Sequence, residues 1–191
     1  MLYGLDSAAG ISDMAISIDT FTIEGPSPEI TADALSKIAR QTFIDSFGHL
    51  YSSADLEMFL AESHAPANYE ALLTDCDTGI WIARETTNSD LIGYLVAGPC
   101  HLPVENMPPS SGELMRFYIE KSFQGAGLGK KMLEIALAWL AAHFDHIYLS
   151  VYAPNVGAQR LYARYGFAKV QAYHFMVGNH ADPEFIFKLK T

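Results

Sequence analysis

The chain has 191 residues, half of them hydrophobic, with 22 acidic side chains against 12 basic ones and a formal charge of −10. Such a length and composition describe one folded domain with a sizeable core, and the negative balance disfavours a nucleic-acid partner while suiting cationic small molecules. Cys76 and Cys100 lie in no CxxC or metal-type spacing and no apolar run reaches the ~20 residues of a membrane span, so no metal, disulfide scaffold or membrane partner is expected and the cytoplasm is the default location.

Residues 1–15 are small and polar without periodicity, and are read as a disordered tail or a stretch upstream of the true start; the domain is placed at 16–191. Residues 16–23 read as a strand. After the turn Gly25-Pro26-Ser27-Pro28, the positions Ile30, Ala34, Leu35, Ile38 and Phe43 recur at helical spacing, which predicts a helix over 31–47 with Thr31 as N-cap. Residues 45–53 read as a loop, followed by helices over 54–61 and 68–73, the second led in by Pro66. Two strands, 80–85 and 91–98, are joined by a hairpin loop, and the proline-containing stretch 99–112 is an irregular connection.

The pattern then alternates. Residues 113–119 form a strand and 129–144 a helix with the apolar stripe Met132, Leu133, Ala136, Leu137, Leu140 and Phe144. A strand at 147–152 precedes a short helix opened by Asn155 and stopped at Gly166, a residue suited to the left-handed position after a helix. Strands at 167–177 and 185–190 finish a single mixed α/β domain without internal repeats.

Between the strand at 113–119 and the next helix stands Gln124-Gly125-Ala126-Gly127-Leu128-Gly129-Lys130. Glycines admit positive φ and close approach of a ligand, and the first N–H groups of a helix lack internal partners, so this turn can cradle phosphate oxygens. It is not a Walker A loop, because Gln124 stands at the first glycine position and Lys131 follows Gly129-Lys130 where Ser or Thr is needed. It is not a dinucleotide fingerprint, because Lys130 replaces the third glycine. A nucleoside triphosphate is thereby disfavoured, while other anions stay open.

The stretch resembles the acyl-CoA pyrophosphate loop of the GNAT superfamily of N-acyltransferases, Q/R-x-x-G-x-G/A, at Gln124, Gly127 and Gly129. About thirty residues on, Asn155, Ala158, Leu161, Tyr162, Gly166 and Phe167 match that superfamily's N-x-x-A-x-x-F/L-Y-x-x-x-G-F element. Within it, the stretches 42–51 and 173–178 are similar to bacterial polyamine (spermidine/spermine) N-acetyltransferases.

The resemblance implies a mixed, mostly antiparallel sheet with helices on both faces, splayed between its fourth and fifth strands. Acetyl-CoA is then the co-substrate, its pantetheine lying along Phe117, Tyr118 and Ile119, its phosphates at the 124–130 turn, with Asn155, Tyr162 and Arg164 nearby. A small-molecule or peptide amine would attack the thioester directly in a ternary complex. Glu113 is the candidate base, with a solvated strand-end carboxylate as the alternative, and Tyr162 the candidate acid, with core packing as the alternative. For Lys130 and Arg164, surface ion pairs are the alternative to CoA phosphates. Phe47, His49 and Tyr51 are expected to line the acceptor site with the strands near Tyr173, and no carboxylate there is assigned. A homodimer is expected by the same resemblance. Acetylation of another amine (an amino acid, an aminoglycoside, a protein lysine or N-terminus) and a non-catalytic acyl-CoA-binding regulator are the competing readings.

Overall fold

In strand β3 (Gly79–Glu85), Ile80 and Ile82 alternate with Trp81 and Ala83, and all four are buried. Side chains of a strand point alternately to opposite faces, so the sheet is covered on both sides. The computed structural model, which describes residues 16–18 and 20–190, supplies both covers. The tail expected at residues 1–15 lies outside the described residues.

Chain order runs β1 (Ile16–Ile18), β2 (Phe21–Glu24), α1 (Ala32–Phe47), α2 (Ser53–Ser63), α3 (Pro66–Thr74), β3, β4 (Leu91–Pro99) and β5 (Ser111–Ile119). Then come α4 (Leu128–His143), β6 (His146–Tyr152), α5 (Val156–Arg164), β7 (Phe167–Val177) and β8 (His180–Leu189). The strands form one sheet in the order β1-β2-β3-β4-β5-β6-β8-β7, antiparallel except for the parallel pair β5–β6. On one face Leu35, Ile38 and Ala39 of α1 and Tyr69 of α3 pack on Ile80, Ile82, Tyr94 and Val96. On the other, Leu128, Met132, Leu133, Ala136 and Leu140 of α4 and Tyr162 of α5 pack with Trp81, Leu95, Leu114, Leu149 and Phe187.

Local chemistry sets the helix starts. The Thr31 side chain accepts from the Ala34 N–H at 3.2 Å, Ser52 accepts from Asp55 at 3.1 Å, and Asn155 accepts from Ala158 at 3.0 Å. Pro66 sits in the first turn of α3, where its missing N–H costs nothing.

Several boundaries differ from the sequence reading; β5, for one, begins at Ser111 rather than at 113. Residues 16–23 are two strands paired as a hairpin, Ile16 opposite Ile23. The helix expected over 31–47 does end at Phe47, whose ring lies 5.5 Å from Phe43, so the loop expected from 45 starts only after it, and there with a short 3₁₀ turn, Gly48–Leu50. An i,i+4 aromatic pair extends the apolar face by one turn and holds the helix together there. Strand β8 begins at His180 rather than at 185, because β7 pairs with it from Val177–His180 onward. Pro183 is tolerated because the β6 ladder begins only at Tyr152–Glu184, so no β6 partner asks for its N–H.

The parallel pair is short. It runs from Ser111–His146 to Leu114–Leu149 and then stops, although β5 continues to Ile119 and β6 to Tyr152. Just beyond Leu114, β5 carries a bulge: Val96 pairs with Arg116 and Ala97 with Leu114, leaving Met115 as the extra residue. A bulge bends its strand and increases local twist. The two strands therefore diverge and leave a gap through the sheet between β5 and β6, the strands at 113–119 and 147–152 that the sequence reading counts as fourth and fifth with residues 16–23 taken as one strand rather than two.

Trp81 is 2% exposed, with its ring 5.7 Å from that of Trp139 in an edge-on contact. Trp81→Ala should lower stability by about 3–5 kcal/mol, read as a lower urea midpoint with an unchanged denaturant slope.

Candidate active site

Two cavities open on the gap. The larger, about 560 Å³, is lined from both faces of the sheet: Tyr162 reaches it from α5, and Glu113, Ser150, Tyr173, Asp182 and Glu184 reach it from the face bearing α1. The smaller, about 480 Å³, is lined by Ser46, His49, Ile119, Gln124 and Pro154. Phe47, Phe117, Tyr118, Tyr152 and Asn155 belong to both, so the two spaces join along the separated strands. Because β5 has no β6 partner beyond Leu114, its backbone there can bond a ligand instead.

The glycine turn begins at Gln124, on the wall of the smaller cavity. Gly125 and Gly127 have φ of +83° and +87°, a region costly for any residue with a Cβ, and a Cβ built at either would meet nothing within 4 Å. Gly127 caps α4 without a side-chain hydrogen bond, so the N–H groups of Leu128, Gly129 and Lys130 are presented at the helix's positive end. Open space, uncapped donors and helix polarity fit a pyrophosphate. The Gln124 side chain donates to the Ile119 carbonyl at 3.1 Å, fixing the turn to the end of β5.

Tyr162 is 8% exposed, and burial holds its hydroxyl well above the ordinary tyrosine range. Among the described residues nothing hydrogen-bonds that hydroxyl, so it keeps its proton and has it free to donate. Glu113, also 8% exposed, stands on the opposite side of the gap, and its Oε2 accepts from the His101 N–H at 2.9 Å. Burial raises its pKa, the His101 donor opposes that shift, and the nearby Glu184 charge adds to it. Glu184 is raised chiefly by burial too, offset by hydroxyls of Ser150 and Tyr173, the latter donating at 2.8 Å.

A second network forms the floor. Arg116, on the bulged segment, donates to the Tyr69 hydroxyl and, at 3.2 Å, to the Ser63 carbonyl, while its guanidinium lies 5.0 Å above the Tyr69 ring. Tyr69 also meets His64 Nδ1 at 2.7 Å. Burial, then the charge of Arg116, pushes the His64 pKa down to about 3, so this imidazole is neutral at physiological pH. Four carboxyl groups (Asp75, Glu113, Asp182 and Glu184) face one guanidinium among the described lining residues.

The expected site residues are thus distributed unevenly. Tyr162, Glu113, Phe117, Tyr118, Asn155, Phe47 and Tyr51 converge on the larger cavity, while Ile119, Gln124 and His49 belong to the smaller one. Residues 125–130 form the turn and helix start without lining either. Lys130 lies 3.9 Å from Glu134 with both side chains exposed, and Arg164 is exposed on α5. Residues not singled out from the sequence are Arg116, His64, Tyr69, Asp182 and Glu184. The last two carried one usable signal, the alternation Asp182, Glu184, Ile186 against Phe185, Phe187, Leu189, which Pro183 interrupts.

The profile described as Acetyltransferase (GNAT) family matches residues 37–167. The uncharacterized N-acetyltransferase in the pepI 3′ region of Lactobacillus delbrueckii subsp. lactis is 29% identical over 156 residues, covering 79% of this chain and 87% of that one. The spermine/spermidine N(1)-acetyltransferase of Bacillus subtilis is 40% identical over 80 residues, 41% of this chain and 53% of its own length. Among solved structures, the PaiA N-acetyltransferase of Thermoplasma acidophilum in complex with coenzyme A superposes with a TM-score of 0.64 at 19% identity, over 88% of this chain and 99% of that one. NAA60 of Arabidopsis thaliana with a bisubstrate analogue has a TM-score of 0.64 at 17% identity, over 87% and 98%.

Alanine at position 127 would be strained by about 1–2 kcal/mol in the observed conformation, and relaxation would turn the helix-start N–H groups away. Gly127→Ala should therefore weaken coenzyme A binding by about fivefold or more, measured by titration calorimetry.

Proposed function

This chain belongs to the acetyltransferase (GNAT) family, an acyltransferase using acetyl-CoA as co-substrate, and on that premise we propose that it transfers the acetyl group to a primary amine by direct attack in a ternary complex. The observation that carries the reading is the cavity through the sheet, which puts Tyr162 and Glu113 on the walls of one space although they belong to opposite faces. The glycine turn and the backbone of Phe117, Tyr118 and Ile119 would hold acetyl-CoA, which supplies an activated thioester. A backbone N–H on the β6-facing edge of β5, beyond Leu114, would polarise its carbonyl.

The incoming alkylamine, with a pKa near ~10, must lose a proton to become a nucleophile. Glu113 takes that proton, directly or through water, and its raised pKa makes it a better acceptor than an ordinary carboxylate. Tyr162 hydrogen-bonds or protonates the departing thiolate. A covalent acetyl-cysteine is disfavoured: burial pushes the Cys100 thiol up to about 11, and Cys76 lies exposed, outside both cavities.

A polyamine is the acceptor class we favour. The excess of carboxyl groups in the larger cavity supports it, as does the 40% identity to the spermine/spermidine enzyme, which spans about half of that protein's length. The net charge of −10 would draw polycations toward the site.

The reading is tested by coenzyme A release from acetyl-CoA across a panel of amines. Turnover with polyamines is expected; tight acetyl-CoA binding without turnover on any amine would leave a non-catalytic acyl-CoA regulator. Tyr162→Phe should lower kcat by roughly 10²-fold with a much smaller change in the acetyl-CoA KM, and an unchanged kcat would remove Tyr162 from the chemistry. Below its pKa Glu113 already carries a proton, so activity should fall with pH through a value above the usual glutamate range. Glu113→Gln should abolish that acidic limb as well as slow turnover, whereas a surviving limb would assign the base elsewhere.

A further inference from the structure

Asp182 is a cavity carboxyl group to which the proposed proton transfers assign no role. It is 4% exposed, lines the larger cavity and accepts a hydrogen bond on Oδ2 from the Tyr51 hydroxyl. Its Oδ1 accepts none, although His180 Nε2 stands 3.3 Å away without hydrogen-bond geometry. A buried carboxylate oxygen without a donor is costly unless something else supplies one. Glu184, by contrast, accepts two hydroxyl donors, Ser150 and Tyr173, on Oε2.

The surroundings of Asp182 favour a cation. Phe43, Phe59 and Phe175 line the same cavity as Tyr51. Phe43 stacks on Tyr51 at 6.0 Å and lies 4.7 Å from Phe59, which lies 5.8 Å from Phe175. Aromatic faces beside a carboxylate attract ammonium groups strongly when water is excluded. Asp182 and Glu184 are two residues apart on β8, opposite Phe175 and Tyr173 of β7. They share one face and are offset by roughly 6–7 Å along the strand, a separation that an alkyl diamine of about four carbons matches.

We propose that Asp182 and Tyr51, walled by Phe43, Phe59 and Phe175, form a subsite for the distal ammonium of a diamine or polyamine acceptor, while the reacting amine lies between Glu113 and Glu184. The subsite selects dications over monoamines of the same length. This proposal rests on the acetyl-transfer reading above.

The test compares putrescine with butylamine as acceptors, in the wild type and in Asp182→Asn, which keeps the shape and an acceptor for Tyr51. The wild type should prefer putrescine, and Asp182→Asn should lower that preference in kcat/KM by about tenfold, through the putrescine KM. Phe175, 36% exposed on β7, can be replaced at little cost to folding, and Phe175→Leu should lower the same preference several-fold. A preference that persists in both variants overturns the subsite alone. An equal loss for both amines also overturns it, making Asp182 a strut for Tyr51. A wild type that accepts both amines equally refutes the subsite while keeping acetyl transfer, and one that accepts no amine refutes both.

Discussion

β5 and β6 are hydrogen-bonded neighbours as far as Leu114 and Leu149 and diverge at the next residue, where Met115 is inserted between two β4 partners. An unbroken parallel pair would seal the sheet and separate Tyr162 from Glu113 by a layer of backbone. The bulge converts that layer into an opening, and it does so while β5 stays paired to β4 through Ile119. The cost of the unpaired backbone is tolerable because those groups face a cavity. The same bulge turns both Met115 and Arg116 to the face bearing α1, where Arg116 ties Tyr69 and the Ser63 carbonyl into the cavity floor.

Around the opening, one environment produces opposite proton affinities by different routes. Burial raises Glu113, Glu184 and Tyr162 toward their neutral forms, whereas burial together with Arg116 keeps His64 neutral by lowering it. A site made of neutral donors and proton-hungry carboxylates suits a reaction in which an amine gives up a proton and a thiolate receives one. The β7–β8 turn is tied to α2, where the Asn179 N–H donates to Asp55 at 2.9 Å, and Tyr51, just before α2, reaches Asp182 on the cavity wall.

Much of this was legible along the chain because the determinants are local. Thr31 and Asn155 cap helices through side chains three residues from their partners, and the glycine turn needs positive φ at 125 and 127 whatever surrounds it. The apolar stripe of α4 and the alternation of Ile147, Leu149 and Val151 in β6 mark the faces that pack together. The 3₁₀ turn that follows α1 was less legible, since three residues, Gly48–Leu50, are too few to carry a periodic pattern.

The amino-acid sequence by itself determined the order of elements, the glycine-rich turn at the start of α4 and the presence of Tyr162 on a short helix opened by Asn155, because each follows from neighbours within one turn or one strand. Only the tertiary structure decided where the gap opens, since a bulge is a relation between two strands and Met115 has no mark of its own. It also decided which carboxylates meet. Asp182 and Glu184 come from a strand that Pro183 disguises, and they join Glu113 and Tyr51 only when β8 is placed between β6 and β7. Proximity across more than a hundred residues is set by sheet order, which no local pattern records.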